Sequence, residues 1–174
     1  TDMSFQGTIN MANATTGSFT ISPTSTAFTD NTDGTATLDV SAATPDTYTV
    51  TFTVSDGNGC SNTASSTVEV FALPTVGLND PADECTNGTD MSFQGTLNMA
   101  NATSGSFTIS PTSTAFTDNT DGTAALDVSA ATPDIYTVTF TVSDGNSCSN
   151  TSSSTVEVFA LPTVGLNDPT DQCT

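Results

Sequence analysis

Apolar and polar residues alternate along most of the chain, with the period of two that is typical of a β-strand with one buried face. No stretch has the 3.6-residue period of an amphipathic helix. The alternation is clearest in the segments GSFTIS, ATLDV, YTVTFTV, STVEVF and PTVGL. In YTVTFTV, the inward face is expected to consist of Tyr48, Val50, Phe52 and Val54, and the outward face of Thr49, Thr51 and Thr53.

Turn-forming residues bound each of these segments. Asn, Asp, Gly and Pro cluster in NTDG (31–34), TPD (44–46), DGNG (56–59) and NDP (79–81), and these residue types favour turns for defined backbone reasons. Roughly seven short strands with alternating faces in every 88 residues predict an all-β fold, a two-sheet antiparallel sandwich. Its clearest element is a hairpin made of YTVTFTV, the loop SDGNGCSNT and SSTVEVF.

Tyr48 and Tyr136 each begin a strand after a Pro-Asp turn. This position resembles the tyrosine corner of Greek-key sandwiches, in which the phenol hydroxyl bonds to the backbone a few residues upstream. A plain core tyrosine is the alternative.

The sequence repeats itself with a period of 88 residues, because TDMSFQGTINMANA from Thr1 returns as TDMSFQGTLNMANA from Thr89. Such a period is the mark of a repeat architecture. Residues 1–86 and 89–174 differ at eight positions. The differing pairs are Ile9/Leu97, Thr16/Ser104, Thr37/Ala125, Thr47/Ile135, Gly59/Ser147, Ala64/Ser152, Ala82/Thr170 and Glu84/Gln172.

The folding unit is expected to be out of phase with this repeat. In FALPTVGLND, from Phe71, Pro74 interrupts the strand pattern, and proline suits a strand start or an edge. We therefore predict that residues 1–73 are the C-terminal part of one repeat, that 74–161 form a complete repeat, and that 162–174 begin the next. The array is then expected to continue beyond both ends.

The charge of the chain limits the kinds of molecule that it can bind. The chain has 19 acidic residues and no Lys, Arg or His, which gives a formal charge of -19. Nucleic acid is excluded, because phosphate contacts need basic side chains, and anionic membrane surfaces are disfavoured for the same reason. No apolar stretch of the kind that inserts into a membrane is visible, so direct membrane insertion is not expected.

The absence of Lys, Arg and His also argues against an enzymatic function. Without His or Lys there is no conventional base to activate a Ser or Cys nucleophile. Paired carboxylates could cleave glycosides, but the acidic residues lie mostly in predicted turns. We predict no catalytic residues and no cofactor-binding residues.

Calcium is the one candidate cofactor. The loop TDNTDG brings Asp30 and Asp33 together, and LNDPADE places Asp80, Asp83 and Glu84 beside the predicted boundary. Oxygen ligands of this kind suit calcium. Neither loop has EF-hand spacing, however, and Asp and Asn favour turns without any metal.

Two cysteines per repeat suggest disulfides and an oxidising, extracellular compartment. The phase of the folding unit favours a bond between Cys85 and Cys148, with Cys60 and Cys173 pairing with flanking repeats. The alternative is a Cys60–Cys85 bond across the boundary. Zinc is disfavoured, since the cysteines are widely spaced and no His is present.

The segment TPDTYTVTFTVSDGNGCSNTASSTVEVFALPTV resembles the C-terminal half of the PKD-like and immunoglobulin-like repeats of giant surface proteins of Bacteroidota. Tyr48, Val50, Val54, Asp56 and Cys60 fit the pattern, as does LPTV at the boundary, whereas Asp46 and Ser147 stand where that pattern has Gly. The resemblance covers about half of each repeat. It implies tandem immunoglobulin-like β-sandwich modules at the cell surface, secreted across the outer membrane into adhesins or filaments.

Three functions are compatible with these patterns. The first is a structural repeat of an extracellular filament or adhesin stalk, whose partners are further copies of the repeat. The second is a repeated carbohydrate- or protein-binding module, although the lack of Trp and the presence of only two Tyr leave few sugar-stacking surfaces. The third is a subunit that polymerises by strand exchange. The ligand at the distal end of such a stalk is not specified by the sequence.

Overall fold

A computed structural model describes residues 2–9, 14–97, 102–168 and 171–172. These residues form two compact units, Thr1–Ala72 (unit 1) and Leu73–Thr174 (unit 2). All regular elements of the described residues are β-strands, which confirms the all-β, immunoglobulin-like sandwich class. The described part of the chain contains no helix of the length and apolarity needed to cross a membrane.

Unit 1 has six strands in two three-stranded antiparallel sheets, β1-β4-β3 and β2-β5-β6. The strands are β1 (Met3–Gln6), β2 (Ala14–Ser22), β3 (Phe28–Asp30), β4 (Thr35–Leu38), β5 (Asp46–Asp56) and β6 (Ser61–Val70).

Unit 2 repeats this arrangement and adds one short strand to the edge of each sheet. Its sheets are β11-β12-β9-β7 and β10-β13-β14-β8. The strands are β7 (Val76–Leu78), β8 (Glu84–Cys85), β9 (Met91–Leu97), β10 (Ala102–Ser110), β11 (Phe116–Asp118), β12 (Thr123–Leu126), β13 (Asp134–Asp144) and β14 (Ser149–Phe159). β8 pairs with β14 in parallel, and the other pairs are antiparallel.

The core of each unit lies between its sheets and follows the predicted alternation. Tyr136, Val138, Phe140 and Val142 on β13 are buried, as are Tyr48, Val50 and Phe52 on β5, while Val54 is half-buried. The Phe140 ring stacks on Phe107 at a centroid distance of 4.5 Å. Gly95 and Gly105 border the same ring, and a Cβ at either position would overlap it. These glycines allow the backbone to approach the aromatic core closely.

Each unit contains a tyrosine corner. The Tyr48 hydroxyl donates a hydrogen bond to the Thr44 carbonyl oxygen at 2.8 Å, and Tyr136 donates to the Thr132 carbonyl oxygen at 2.9 Å. Both rings are buried. The tyrosine-corner interpretation is therefore confirmed, and the plain core tyrosine is excluded.

The predicted hairpin is present, but its loop is shorter than SDGNGCSNT. Pairing continues to Ser55 and Ser61, which leaves only residues 57–60 between β5 and β6. The reason is the Asp56 carboxylate, which accepts hydrogen bonds from the backbone N–H groups of Asn58 and Cys60 at 2.9 and 2.8 Å and so closes a tight turn. The strand at MSFQ, for which the sequence offered no motif, is the main addition to the predicted elements.

The predicted start of a strand after Pro74 agrees with β7. The last strand ends at Phe159, and residues 160–168 form no strand. The division into a partial repeat (1–73), a complete repeat (74–161) and the start of another (162–174) stays a prediction.

Candidate functional site

The first calcium candidate is a turn whose carboxylates accept hydrogen bonds from backbone N–H groups. Asp30 accepts hydrogen bonds from the Phe19 and Thr32 N–H groups at 2.9 and 3.0 Å. Asp33 accepts from the Thr35 hydroxyl at 2.6 Å and from its N–H at 3.0 Å. These two bonds, the hydroxyl first, hold the pKa of Asp33 below its usual value. The loop is thus organised by turn chemistry.

The second calcium candidate is dispersed along one edge of unit 2. Asp80 accepts a hydrogen bond from the Ser154 hydroxyl at 2.6 Å, and Asp83 accepts one from the Glu157 N–H at 2.8 Å. Glu84 accepts from the Thr89 hydroxyl at 3.3 Å. Among the described residues, no three Asp, Glu, His or Cys side chains are grouped as metal ligands would be. Calcium binding by either loop stays a prediction.

The predicted disulfide does not fit the geometry of unit 2. Cys85 lies beside Phe159 at the end of β14, whereas Cys148 immediately precedes the start of that strand. Eleven steps of about 3.3 Å each place Cys148 roughly 36 Å from Phe159, the neighbour of Cys85, while bridged cysteines have Cα atoms less than about 7 Å apart. This separation argues against a Cys85–Cys148 bond.

Cys60, Cys85 and Cys148 are free thiols in the structure. Cys173 lies outside the described residues. Pairing of Cys60 with Cys85, or of any of these cysteines with flanking repeats, stays a prediction.

The two edge strands of unit 2 belong to one continuous segment, residues 74–85, which we call the edge segment. It closes one side of the sandwich by running along β14 from one end to the other. At its start, the Asn150 side-chain amide donates a hydrogen bond to the Pro74 carbonyl oxygen at 2.9 Å, and Pro74 is buried. Val76 and Leu78 then pack against the core of the unit. The edge segment is therefore part of the fold of unit 2.

Backbone pairing fixes the register of the edge segment. In β7, Val76 lies opposite Leu97 and Leu78 lies opposite Gly95 on β9. Gly77 faces Thr96 so closely that a Cβ on Gly77 would overlap the Thr96 hydroxyl. Asn79 continues the contact, because its side-chain amide donates to the Ser92 carbonyl oxygen at 2.9 Å and its side-chain oxygen accepts from the Gln94 N–H.

Unit 1 has an open groove at the position that the edge segment covers in unit 2. The groove has a volume of about 400 Å³ and is lined by Thr8, Ile9, Phe52, Val54, Asp56, Cys60, Ser61, Asn62, Thr63 and Ala64. A second hollow beside it, of about 340 Å³, shares Thr8, Phe52 and Ala64 and reaches Gly7 and Ser66. Together they define the edge groove.

Matched residues of the two units show the effect of this opening. Phe52 is 8% exposed, whereas its counterpart Phe140 is fully buried. Ser66 is exposed, whereas Ser154 is only 7% exposed because Asp80 covers it. The sequences of the two units are nearly the same here, so the edge segment accounts for the difference.

The edge groove has an apolar floor and a charged residue on its rim. Its floor is formed by Phe52, Val54 and Ala64, and no basic side chain exists in the chain to attract an anion. On its rim, hydrogen bonds from the Cys60 N–H first, and then from the Asn58 N–H, lower the pKa of Asp56 and keep it charged. The backbone of residues 7–9 forms no strand, although β9 pairs with β7 at the equivalent positions.

Sequence reasoning missed the edge groove. The segment that covers the equivalent position in unit 2 was visible in the sequence, since LPTVGLND, with its alternating apolar residues, precedes the second copy of MSFQGT. Its pairing with MSFQGT was not predicted.

Several solved structures are similar to this chain at low sequence identity. The fibronectin(III)-like modules of CbhA from Clostridium thermocellum match with 14% identity and a TM-score of 0.42, over 96% of this chain and 91% of that one. Drosophila N-cadherin EC1-4 matches with 13% identity and a TM-score of 0.41, over 83% of this chain and 41% of that one. Domains 4 and 5 of the S-layer protein SbsC match with 19% identity and a TM-score of 0.33, over 83% and 70%.

No protein-family model matches the chain, and no curated protein does. At these TM-scores the similar structures carry no argument about function. The fold assignment rests on the sheets and the buried core described above.

Proposed function

We propose that the chain is a structural repeat of an extracellular filament or surface-adhesin stalk, of the kind that the PKD-like resemblance implies for Bacteroidota. Its partners are further copies of the same repeat. Its role is to provide length and stiffness, without catalysis.

The observation that supports this proposal is the place of the edge segment both in the chain, after unit 1, and in the fold, as part of unit 2. Residues 74–85 begin three residues after the last strand of unit 1, and they form an edge of both sheets of unit 2. Only residues 71–75 separate β6 from β7. A chain that uses its connecting segment as a strand is suited to many modules in series.

Composition supports the same function. The absence of Lys and Arg leaves no cleavage position for trypsin-like proteases within the repeat. The charge of -19 keeps neighbouring chains soluble and apart, and at about 0.15 M salt screening over about 8 Å makes such a charge tolerable within a module.

Protease treatment of intact cells tests the location and length. An antibody against residues 1–174 should detect a polypeptide far heavier than 17.6 kDa on a denaturing gel. Proteinase K added to intact cells should remove it, whereas trypsin should not cut within the repeats. A cytoplasmic protein used as a matched control should survive both enzymes. A band that proteinase K reaches only after lysis, or a species near 17.6 kDa, contradicts the proposal.

A further inference from the structure

Three Asn residues of the chain precede Gly or Ser, and all three lie in turns. They are Asn58 before Gly59, Asn87 before Gly88, and Asn146 before Ser147. Asn followed by Gly is chemically labile, because the backbone nitrogen of the next residue can attack the side-chain carbonyl carbon and Gly has no Cβ to obstruct the attack. The three turns differ in how firmly they hold this nitrogen.

Asn58 lies at the tip of the β5–β6 hairpin, and both it and Gly59 are exposed. Gly59 has a φ of 86°, and a Cβ built on it would have no described residue within 4 Å apart from its chain neighbours. Its N–H donates to the Asp56 carbonyl oxygen at 3.4 Å, which is longer than an ordinary backbone hydrogen bond. The attacking nitrogen at this site is therefore weakly held and open to solvent.

Asn87 is followed by a more firmly held glycine. The Gly88 N–H donates to the Cys85 carbonyl oxygen at 2.8 Å, and a Cβ on Gly88 would overlap the Glu84 side chain. The Gly88 nitrogen can reach the Asn87 side chain only if this hydrogen bond breaks, which costs free energy. The fold of unit 2 thus protects Asn87, although the dipeptide is the same as at Asn58.

The β13–β14 turn has the hydrogen bonding of the β5–β6 turn but a different residue after Asn. The Ser147 N–H donates to the Asp144 carbonyl oxygen at 3.4 Å, as in unit 1. Ser147 carries a Cβ, which obstructs attack by its nitrogen. Asn146 is exposed although unit 2 has its edge segment in place. The exposure of Asn58 is therefore a property of this turn and does not depend on the edge groove.

We propose that Asn58 is a site of spontaneous deamidation, and that Asn87 and Asn146 react much more slowly. The Gly59 nitrogen forms a bond to the Asn58 side-chain carbonyl carbon and loses its proton to water, while the Asn58 amide nitrogen leaves as ammonia. Water then opens the resulting succinimide ring at either carbonyl and gives aspartate or isoaspartate. The reaction consumes water alone and needs no oxidant or reductant.

Deamidation replaces a hydrogen-bond donor of the turn by a carboxylate. The Asn58 side-chain amide donates to the Asp56 carboxylate at 3.3 Å, and Asp56 also accepts from the Asn58 and Cys60 N–H groups. A carboxylate at position 58 repels Asp56 instead, and isoaspartate adds a methylene group to the backbone of a turn that consists of residues 57–60 alone. Unit 1 should therefore lose stability as the chain ages, whereas unit 2 should not.

Incubation of the purified 174-residue chain at neutral pH and physiological temperature for several weeks is the first test. Mass spectrometry of peptic peptides follows each site, because the difference between Gly59 and Ser147 distinguishes the two units. Enzymatic methylation of isoaspartate on the same peptides detects that product independently. The Asn58 peptide should convert several-fold faster than the Asn87 and Asn146 peptides. Equal rates at the three sites, or no conversion at Asn58, overturn the proposal.

The reciprocal substitutions Gly59→Ser and Ser147→Gly provide matched variants, because each introduces the residue that the other unit already has. Gly59→Ser should slow the conversion of Asn58 several-fold, and Ser147→Gly should make Asn146 convert at the rate of Asn58. Conversion of Asn58 that Gly59→Ser leaves unchanged contradicts the mechanism. In urea, where the fold no longer protects it, Asn87 should convert as fast as Asn58; a slower rate there contradicts the role of the Gly88 hydrogen bond.

Urea unfolding of the aged chain tests the consequence for stability. In a Tyr136→Phe background, Tyr48 is the only tyrosine and its emission reports unit 1. The midpoint should be lower for the aged chain than for the fresh chain, and Gly59→Ser should remove most of this difference. Equal midpoints overturn the destabilisation of unit 1. This inference goes beyond the proposed function, and its tests use purified protein, so neither result depends on the other.

Discussion

Leu78→Ala is expected to destabilise unit 2, whereas the matched change Leu166→Ala is expected to have almost no effect on it. Both residues have the same neighbours in sequence, but Leu78 packs on the core and Leu166 is 98% exposed. Replacing a completely buried Leu by Ala lowers the free energy of unfolding by about 2–5 kcal/mol. Since Leu78 is only half-buried, we expect a loss of about 1–2.5 kcal/mol, against less than about 0.5 kcal/mol for Leu166.

The single tyrosine in each unit makes this measurement specific. The chain has no Trp and two Tyr, so a Tyr48→Phe background leaves Tyr136 as the only strong emitter, and urea unfolding then reports unit 2 alone. With a slope of about 2 kcal/mol per M, the midpoint should fall by about 0.5–1.25 M for Leu78→Ala. Equal midpoints for the two variants would refute the claim that the edge segment is part of unit 2.

Three further predictions concern the turns and the tyrosine corner. Tyr136→Phe should destabilise unit 2 by about 1–2 kcal/mol in urea unfolding followed by circular dichroism, because the Thr132 carbonyl loses its donor; an unchanged midpoint would exclude a structural role for the hydroxyl. Ser147→Gly should stabilise unit 2 by about 0.5–1 kcal/mol, because Ser147 has a φ of 67° where the other copy has Gly59; a loss of stability contradicts this. Hydrogen bonds, first from the Ser129 hydroxyl, hold the pKa of Asp127 below its ordinary value. Asp127 therefore stabilises the fold fully above its ordinary pKa, and this stabilisation is lost as the pH falls through the lower folded value. The stability difference between wild type and Asp127→Asn should accordingly shrink from pH 6 to pH 2.5, and a constant difference argues against the shift.

The strands were predictable where one face is strongly apolar. YTVTFTV and the turn residues around it specify β5 and β13 because strict alternation with β-branched residues has a single compatible secondary structure. The tyrosine corner was predictable from the position of Tyr48 after a Pro-Asp turn. MSFQ was not predictable as β1, because a four-residue strand with few apolar residues gives little periodicity.

The candidate sites were less predictable, because they depend on which strand edges meet. The Cys85–Cys148 pairing was inferred from the phase of the folding unit, but Cys85 joins β14 at the end distant from Cys148, and that parallel pairing is not visible in the sequence. The acidic loops were judged by composition, whereas their carboxylates bond to nearby N–H and hydroxyl groups. The edge groove lies at a strand edge, and periodicity within a segment does not reveal which edges a neighbouring segment covers.

Immunogold electron microscopy of intact cells, with an antibody against residues 1–174, tests the central claim most directly. The stalk function predicts gold particles in rows along thin fibres that extend outward from the cell surface, with several particles per fibre because the epitope repeats. The same antibody absorbed with purified chain is the control and should leave the fibres unlabelled. Labelling confined to the cell interior, or scattered on a surface without fibres, would contradict the claim.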